Sequence, residues 1–279
     1  MALKLTKEEV IKRGLALPAF PRVVNDILET LEDENATLNS LTRFVETDPV
    51  ITARIISVAN SAAMGGRHTG ELRNVQMAIS LIGLARVKQI AVAVSLAEFA
   101  RKSHMTSYYW EHSVAVAITA QELGRFTRVS GDYAQVAGLL HDIGQLWMAH
   151  THPLEFQMVR TALETSKHSI IEVERHYFGT DHCVIGAILA AQWGLPTSVV
   201  AAIRYHHDPA PALEEKLVSL IHVAEVLANA LDLSERQENH VASLSGEACN
   251  AIGLNLEEDL NYLFGKIEAR TENACRAFR

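Results

Sequence analysis

Seven ligand-type side chains interrupt apolar helical stretches in the second half of the chain. They are His112 in YWEHSVAVA, His141 and Asp142 in GLLHDIG, His182 in GTDHCVIGAILA, His206 and His207 in AAIRYHHDP, and Glu225 in IHVAEVLA. Five imidazoles and two carboxylates are donors that suit iron, manganese, nickel or zinc. An aspartate buried without a partner costs several kcal/mol, so Asp142 inside LLHDIG should be paired or metal-bound. Its carboxylate can bridge two ions. His206 and His207, at a helix end broken by Pro209, need not diverge as neighbours do inside a regular helix. All seven are therefore candidate metal ligands for one or two divalent transition ions. Iron, manganese or nickel is favoured over zinc, because a site of high coordination number argues against a closed tetrahedral zinc centre. In an enzyme, His141 and Asp142 would be the catalytic pair.

The other histidines read differently. Of thirteen in the chain, His68, His104, His150, His152, His168, His176 and His240 stand in polar or loop contexts and are expected at the surface. His222 is open between core and site. Cys183, next to His182, reads as a small buried filler rather than a soft ligand.

The elements that must carry these groups are helices. Apolar residues recur at three and four along nearly the whole chain, and strand-like alternation is nowhere sustained, which predicts an all-α fold. Thr6 with Glu9 forms a capping-box pattern, Thr37 and Asp48-Pro49 mark further helix starts, and Pro21 opens a run to about Leu31. Gly65-Gly66, Gly83, Gly179-Thr180-Asp181, Gly194-Leu195-Pro196 and Asp208-Pro209 punctuate the helices. The stretch GLLHDIGQ, with Leu139, Leu140, Ile143, Leu146 and Trp147 on helical spacing, reads as one core helix opened by Ser130-Gly131-Asp132. The texture changes near RKSHMTS at 101–107. The expected organisation is an N-terminal helical subdomain over 1–105, a metal-binding helical subdomain over 106–231 and a C-terminal helical extension over 232–279.

Composition excludes several classes. With 279 residues, 48% hydrophobic and 21% charged, the chain is long enough for a sizeable core. A net charge of −8 and the lack of a dense basic stripe argue against nucleic-acid binding. Three scattered cysteines make neither a disulfide framework nor a Cys-based zinc site, which fits a reducing cytoplasm. The most apolar stretch, IAVAVSLAEFA at 90–100, falls well short of the roughly twenty residues that a membrane crossing needs, so no membrane association is expected.

The series His, His-Asp, His, His-His, acid on helices resembles the HD superfamily of metal-dependent phosphohydrolases, above all its HD-GYP branch, over residues 108 to 230. Three N-terminal stretches sharpen this: LPAFPRVVNDILE at 17–29, TDPVITARIISVANSAAMGG at 47–66 and QMAISLIGLARVKQI at 76–90. With these the chain resembles the HDOD family, whose pattern is met at Pro18, Pro21, Asp48, Pro49, Asn60, Ser61, Ala78, Gly83, Trp110, Gly179, His182, Trp193, Pro196 and His206. The resemblance implies an all-helical protein with an N-terminal subdomain packed on an HD-like one, and a role in bacterial signalling as an interaction or output module.

Many members of that family have lost the metal ligands, whereas this chain keeps six of the seven types and has Glu225 in place of an aspartate. Gln145 stands where the lysine after HDxG would bring positive charge to a phosphate, and GYP is missing after His207. Two readings stay open. One is a signalling module that binds a protein partner or a small nucleotide and retains a metal site. The other is a metal-dependent phosphohydrolase, a phosphodiesterase acting on a nucleotide or cyclic dinucleotide, with Arg204, Lys88 or Arg86 to meet the phosphate. Oligomeric state is not legible.

Overall fold

A computed structural model describes residues 3–14, 49–64, 74–84, 107–125, 131–165, 168–231, 243–255 and 263–272, with isolated positions between them. Every regular element among these residues is helical, as the 3.6-residue periodicity predicts. The chain divides into two compact units, residues 1–18 with 99–279, and residues 19–98.

The smaller unit contains α2 (Pro49–Met64) packed against α3 (Val75–Ile82). Asn74 caps α3 through its side chain, and Gly83, at φ +83°, ends it in a backbone conformation that favours glycine. Ile51, Ile55, Ala59, Ala78 and Ile79 are buried here. The expected starts at Pro21 and Asp48 lie outside the described residues.

The larger unit contains α1 (Lys7–Gly14), α4 (Ser107–Gly124), α5 (Gly131–Leu140), α6 (Ile143–Thr151), α7 (Pro153–Thr165), α8 (Ile170–Phe178), α9 (His182–Gln192), α10 (Thr197–Tyr205), α11 (Lys216–Ala230) and α12 (Gly246–Ile252), with a short 3-10 turn at Ala210–Ala212. The Thr6–Glu9 capping box opens α1: Glu9 N–H donates to Thr6 Oγ1 at 3.2 Å and Thr6 N–H to Glu9 Oε2 at 2.9 Å. A second box, Ser169–Glu172, opens α8. The most intimate pair is α4 with α5, where Gly138 meets the backbone of Ala117 so closely that a Cβ would lie 2.7 Å from its Cα.

The core is continuous around α11, which is buried from Leu217 to Asn229 and packs on α4, α5, α10 and α12. A helix buried on every side in this way belongs in the middle of a helical domain. At its far end α4 buries Glu122, which pairs with Arg125, Lys266 and Arg270, so two residues of the helical run 263–272 are anchored to it. No helix among the described residues is long and apolar enough to cross a membrane.

Two expectations are corrected. GLLHDIGQ is not one helix: α5 stops at Leu140, His141 and Asp142 form a turn, and α6 starts at Ile143. The apolar spacing runs through the break because α5 is buried from Ala134 to Leu140 and α6 from Ile143 to Ala149 except at Gln145. His152 is not a surface residue. It is 8% exposed, and its Nε2 lies 2.9 Å from Arg13 Nη1, which ties α1 to the end of α6. Burial first, and then the Arg13 charge, hold its pKa below the ordinary histidine value, so it stays neutral and can accept from the guanidinium.

Candidate metal centre

All seven residues singled out from the sequence converge in the larger unit. His112 projects from the second turn of α4, and His141 with Asp142 occupies the α5–α6 turn. His182 is the first residue of α9, His206 and His207 follow α10, and Glu225 lies on α11. Six of the seven are at most 5% exposed, and the His207 side chain is 19% exposed.

Close helix packing makes this convergence possible. A Cβ on Gly144 would lie 2.0 Å from the His182 carbonyl oxygen, and one on Gly186 would lie 2.8 Å from Ile203. Only glycine lets the α5–α6 turn approach the start of α9, and α9 approach α10, within reach of shared ligands.

The ring nitrogens are set by their outer partners. His141 Nδ1 donates to the Gly138 carbonyl at 2.8 Å, His206 Nδ1 to the Ile203 carbonyl at 2.9 Å, and His182 Nδ1 to Glu174 Oε2 at 2.7 Å. A carbonyl or carboxylate only accepts, so each Nδ1 carries a proton and each neutral ring presents an Nε2 lone pair inward. The His182 and His206 lone pairs face one another at 3.3 Å, and the His141 lone pair faces His112 Nε2 at 3.2 Å. Two neutral acceptors cannot bond to each other, so a positive species, a proton or a metal ion, stands between His182 and His206, while His141 can also accept from a neutral His112 protonated at Nε2.

Asp142 divides its two oxygens between these pairs. Oδ2 lies 3.4 Å from His141 Nε2 and 3.8 Å from His112 Nε2, while Oδ1 lies 3.1 Å from His182 Nε2 and 3.6 Å from His206 Nε2. Oδ1 is buried and receives no properly directed hydrogen bond. Glu225 approaches from α11, with Oε2 at 3.9 Å from His206 Nε2 and Oε1 at 3.7 Å from His207 Nε2.

Charge follows geometry. Burial opposes ionisation of Asp142, but His141 and His182 outweigh it and hold the carboxyl well below its usual range. Burial would likewise lower His182 and His206; Cys183 and Glu174 around the first, and Cys183 and Glu225 around the second, hold both well above the ordinary value. His207 is driven well below it by burial and then by its neighbours His206 and His182. The cluster attracts cations. Convergent imidazole lone pairs, a carboxylate with an unsatisfied oxygen and fixed outer partners are the donor set of a divalent metal, and the residues fit one.

Some participants were not singled out from the sequence. Glu174, fully buried on α8, holds both the backbone N–H and Nδ1 of His182, at 2.8 and 2.7 Å. An acid within IIEVERHYF on an amphipathic helix gives no sign of facing inward until the turn at Gly179 is known. Tyr109, one turn before His112, is buried, and burial first and the Asp142 charge next raise its pKa well above the usual value. His222, left open, is structural: its Nδ1 donates to the His206 carbonyl at 2.7 Å, and its Nε2 accepts from Ser245 N–H at 3.2 Å. Of the proposed phosphate-side cations, Arg204 lies over the Tyr205 ring at 5.2 Å, Arg86 belongs to the other unit, and Lys88 lies outside the described residues.

Comparison with known proteins agrees with this architecture. The family model described as HDOD domain matches residues 17–209. A solved structure from Shewanella amazonensis SB2B, described provisionally as a phosphohydrolase, superposes with a TM-score of 0.73 at 21% identity, covering 97% of this chain and 98% of that one. One from Marinobacter aquaeolei VT8, described provisionally as a signal transduction protein, gives a TM-score of 0.73 at 25% identity, covering 99% of this chain and 61% of that one. An uncharacterized protein of Treponema pallidum (strain Nichols) is 24% identical over 229 residues, 77% of this chain; the chain spans 43% of the length of that curated relative.

Proposed function

The chain belongs to the HDOD family, and from that premise we propose that it is a bacterial signal-transduction module that retains an HD-type metal site. The site would hold one or two divalent transition ions, with iron, manganese or nickel favoured over zinc, on His112, His141, Asp142, His182, His206, His207 and Glu225. One observation carries this reading. The two oxygens of Asp142 face two separate pairs of Nε2 atoms, as a bridging carboxylate would. A relic site under no demand to bind metal would have no reason to keep so many buried lone pairs converging.

The surroundings favour sensing over turnover. Asp142 and Glu225 side chains are each 7% exposed, which leaves a phosphate ester little room. Gln145, half-buried in the first turn of α6, brings no charge where the family resemblance implies a lysine. The ligands come from α4, the α5–α6 turn, α9, α11 and the segment after α10, so filling the site would brace five parts of the domain at once. A signalling protein or small nucleotide that favours the braced form would read that state. Neither nucleic acid nor membrane is a proposed partner.

The second reading, a metal-dependent phosphohydrolase, draws on the same bridging geometry. Bound ions would supply Lewis-acid charge and an activated water. Asp142 and the imidazoles would hold the reacting groups in place. One experiment separates the readings: elemental analysis of protein purified without chelator, with hydrolysis of a generic phosphodiester measured on the same sample. A filled site with slow or undetectable turnover supports the module. Brisk metal-dependent turnover gives the enzyme the lead, and well under one ion per chain overturns both.

A further inference from the structure

We infer that Cys183 is a thiolate ligand of this centre, forming with His182, His206 and His207 a sulfur-containing position for a borderline-soft divalent ion. The inference rests on the proposed metal site and deepens it. The thiol is free, 3% exposed, and belongs to the first turn of α9 beside His182. Its Sγ lies 3.5 Å from His182 Nε2 and 3.9 Å from both ring nitrogens of His206. One donor atom from each of the four residues can be chosen so that all lie within 4.8 Å of one another.

The spacing is compatible with a shared ion. Four-coordinate binding at about 2.0–2.1 Å to nitrogen and about 2.3 Å to sulfur gives tetrahedral edges of about 3.3 Å for N···N and about 3.6 Å for N···S. The His182–His206 Nε2 distance is 3.3 Å and the Cys183–His182 distance is 3.5 Å, with Cys183–His206 a few tenths longer than the edge at 3.9 Å. Asp142 Oδ1, buried and without a hydrogen bond, points to the same space from 3.1 and 3.6 Å. A buried anionic oxygen of this kind favours a cation beside it, independently of the thiol.

Coordination balances simply. The S–H bond breaks, its proton leaves to solvent, and the sulfur lone pair enters the coordination sphere, so one proton is released per ion bound at this position. A soft sulfur donor discriminates against manganese and magnesium, so at this position it narrows the proposed iron, manganese and nickel to iron or nickel and lets zinc and cobalt compete with them. The thiol therefore narrows the metals this part of the site accepts.

Cobalt(II) reports the bond directly. Full-length protein stripped with chelator is titrated to saturation with Co2+, with bound metal counted by elemental analysis. A sulfur-to-cobalt charge-transfer band should grow with occupancy, vanish in Cys183→Ser, and persist in Cys249→Ser and Cys275→Ser. Cys183→Ser should also lower the preference for zinc over manganese by at least about tenfold. X-ray absorption of the zinc-loaded wild type needs no variant and should find a sulfur neighbour at about 2.3 Å. Cobalt bound at one or more equivalents with no sulfur band and no sulfur neighbour, or a band that survives Cys183→Ser, overturns the inference and leaves the metal site standing. No bound metal at all overturns the site, and the inference with it.

Discussion

Asp142 is where the cluster is most exposed to a single change. Its depressed pKa means that it is an anion among imidazoles, and removing it takes from His182 and His206 one of the anions that balance them, leaving Cys183 and Glu174 beside the first and Cys183 and Glu225 beside the second. Breaking a buried charge pair from one side costs about 3–5 kcal/mol. Asp142→Ala and His141→Ala should therefore lose most bound metal and lower Tm together, measured by elemental analysis and thermal denaturation. His168→Ala, at a side chain 72% exposed, should change neither. Equal effects from all three would mean that these histidines have been sorted wrongly. Glu174 is a positioning residue, since it acts through His182. Glu174→Ala should cost about 10–100-fold in metal affinity, while Glu174→Gln, which keeps an acceptor oxygen for both His182 hydrogens, should restore much of it. All seven ligand-type residues were legible in the sequence because each is a polar interruption of an apolar stretch. Glu174 and Tyr109 were not, because one acid or phenol on an amphipathic helix has no signature of the direction it faces.

Helix packing sets the precision with which those groups meet. His141 and Asp142 can turn inward because α5 and α6 are separate helices, and because Gly144 lets that break press against α9. The periodicity of GLLHDIGQ conceals the interruption: three-and-four spacing is satisfied on both sides of a two-residue turn, so the element type was legible and its boundary was not. Gly144→Ala tests the packing. Its Cβ would meet the backbone carbonyl of His182 at 2.0 Å, and a carbonyl cannot swing aside as a flexible side chain can. Overpacking of this kind costs about 3 kcal/mol, and the shift should also reduce metal content by moving His182. Gly265→Ala, in the helical run 263–272 where an added Cβ would meet nothing within 4 Å, is the control. It should be neutral or stabilising by up to about 1 kcal/mol. Denaturant unfolding of the two variants beside wild type checks both.

The larger unit as a whole has a stability tied to protons and metal through the same lone pairs. Without metal, the raised pKa values of His182 and His206 mean that protons occupy the positions a cation would take. A base whose pKa is higher folded than unfolded contributes stability that is full below its unfolded pKa and is lost as pH rises through the folded value. His207 works the other way: its lowered pKa withdraws stability as pH falls below the ordinary histidine range, and Asp142 does so only in stronger acid. The metal-free protein should therefore lose stability as pH is raised from neutral into the alkaline range. Metal binding needs those histidines neutral, so its affinity rises over the same window as fewer protons must be displaced. By linkage, the increase in Tm on adding a divalent ion should grow with pH above neutrality, since ligand stabilisation follows the ratio of free ion to Kd. Scanning calorimetry of chelated and metal-loaded protein across that range measures it. An increment that is flat or shrinks with pH would mean that the ion sits elsewhere, because binding at a site that displaces no protons has no such dependence.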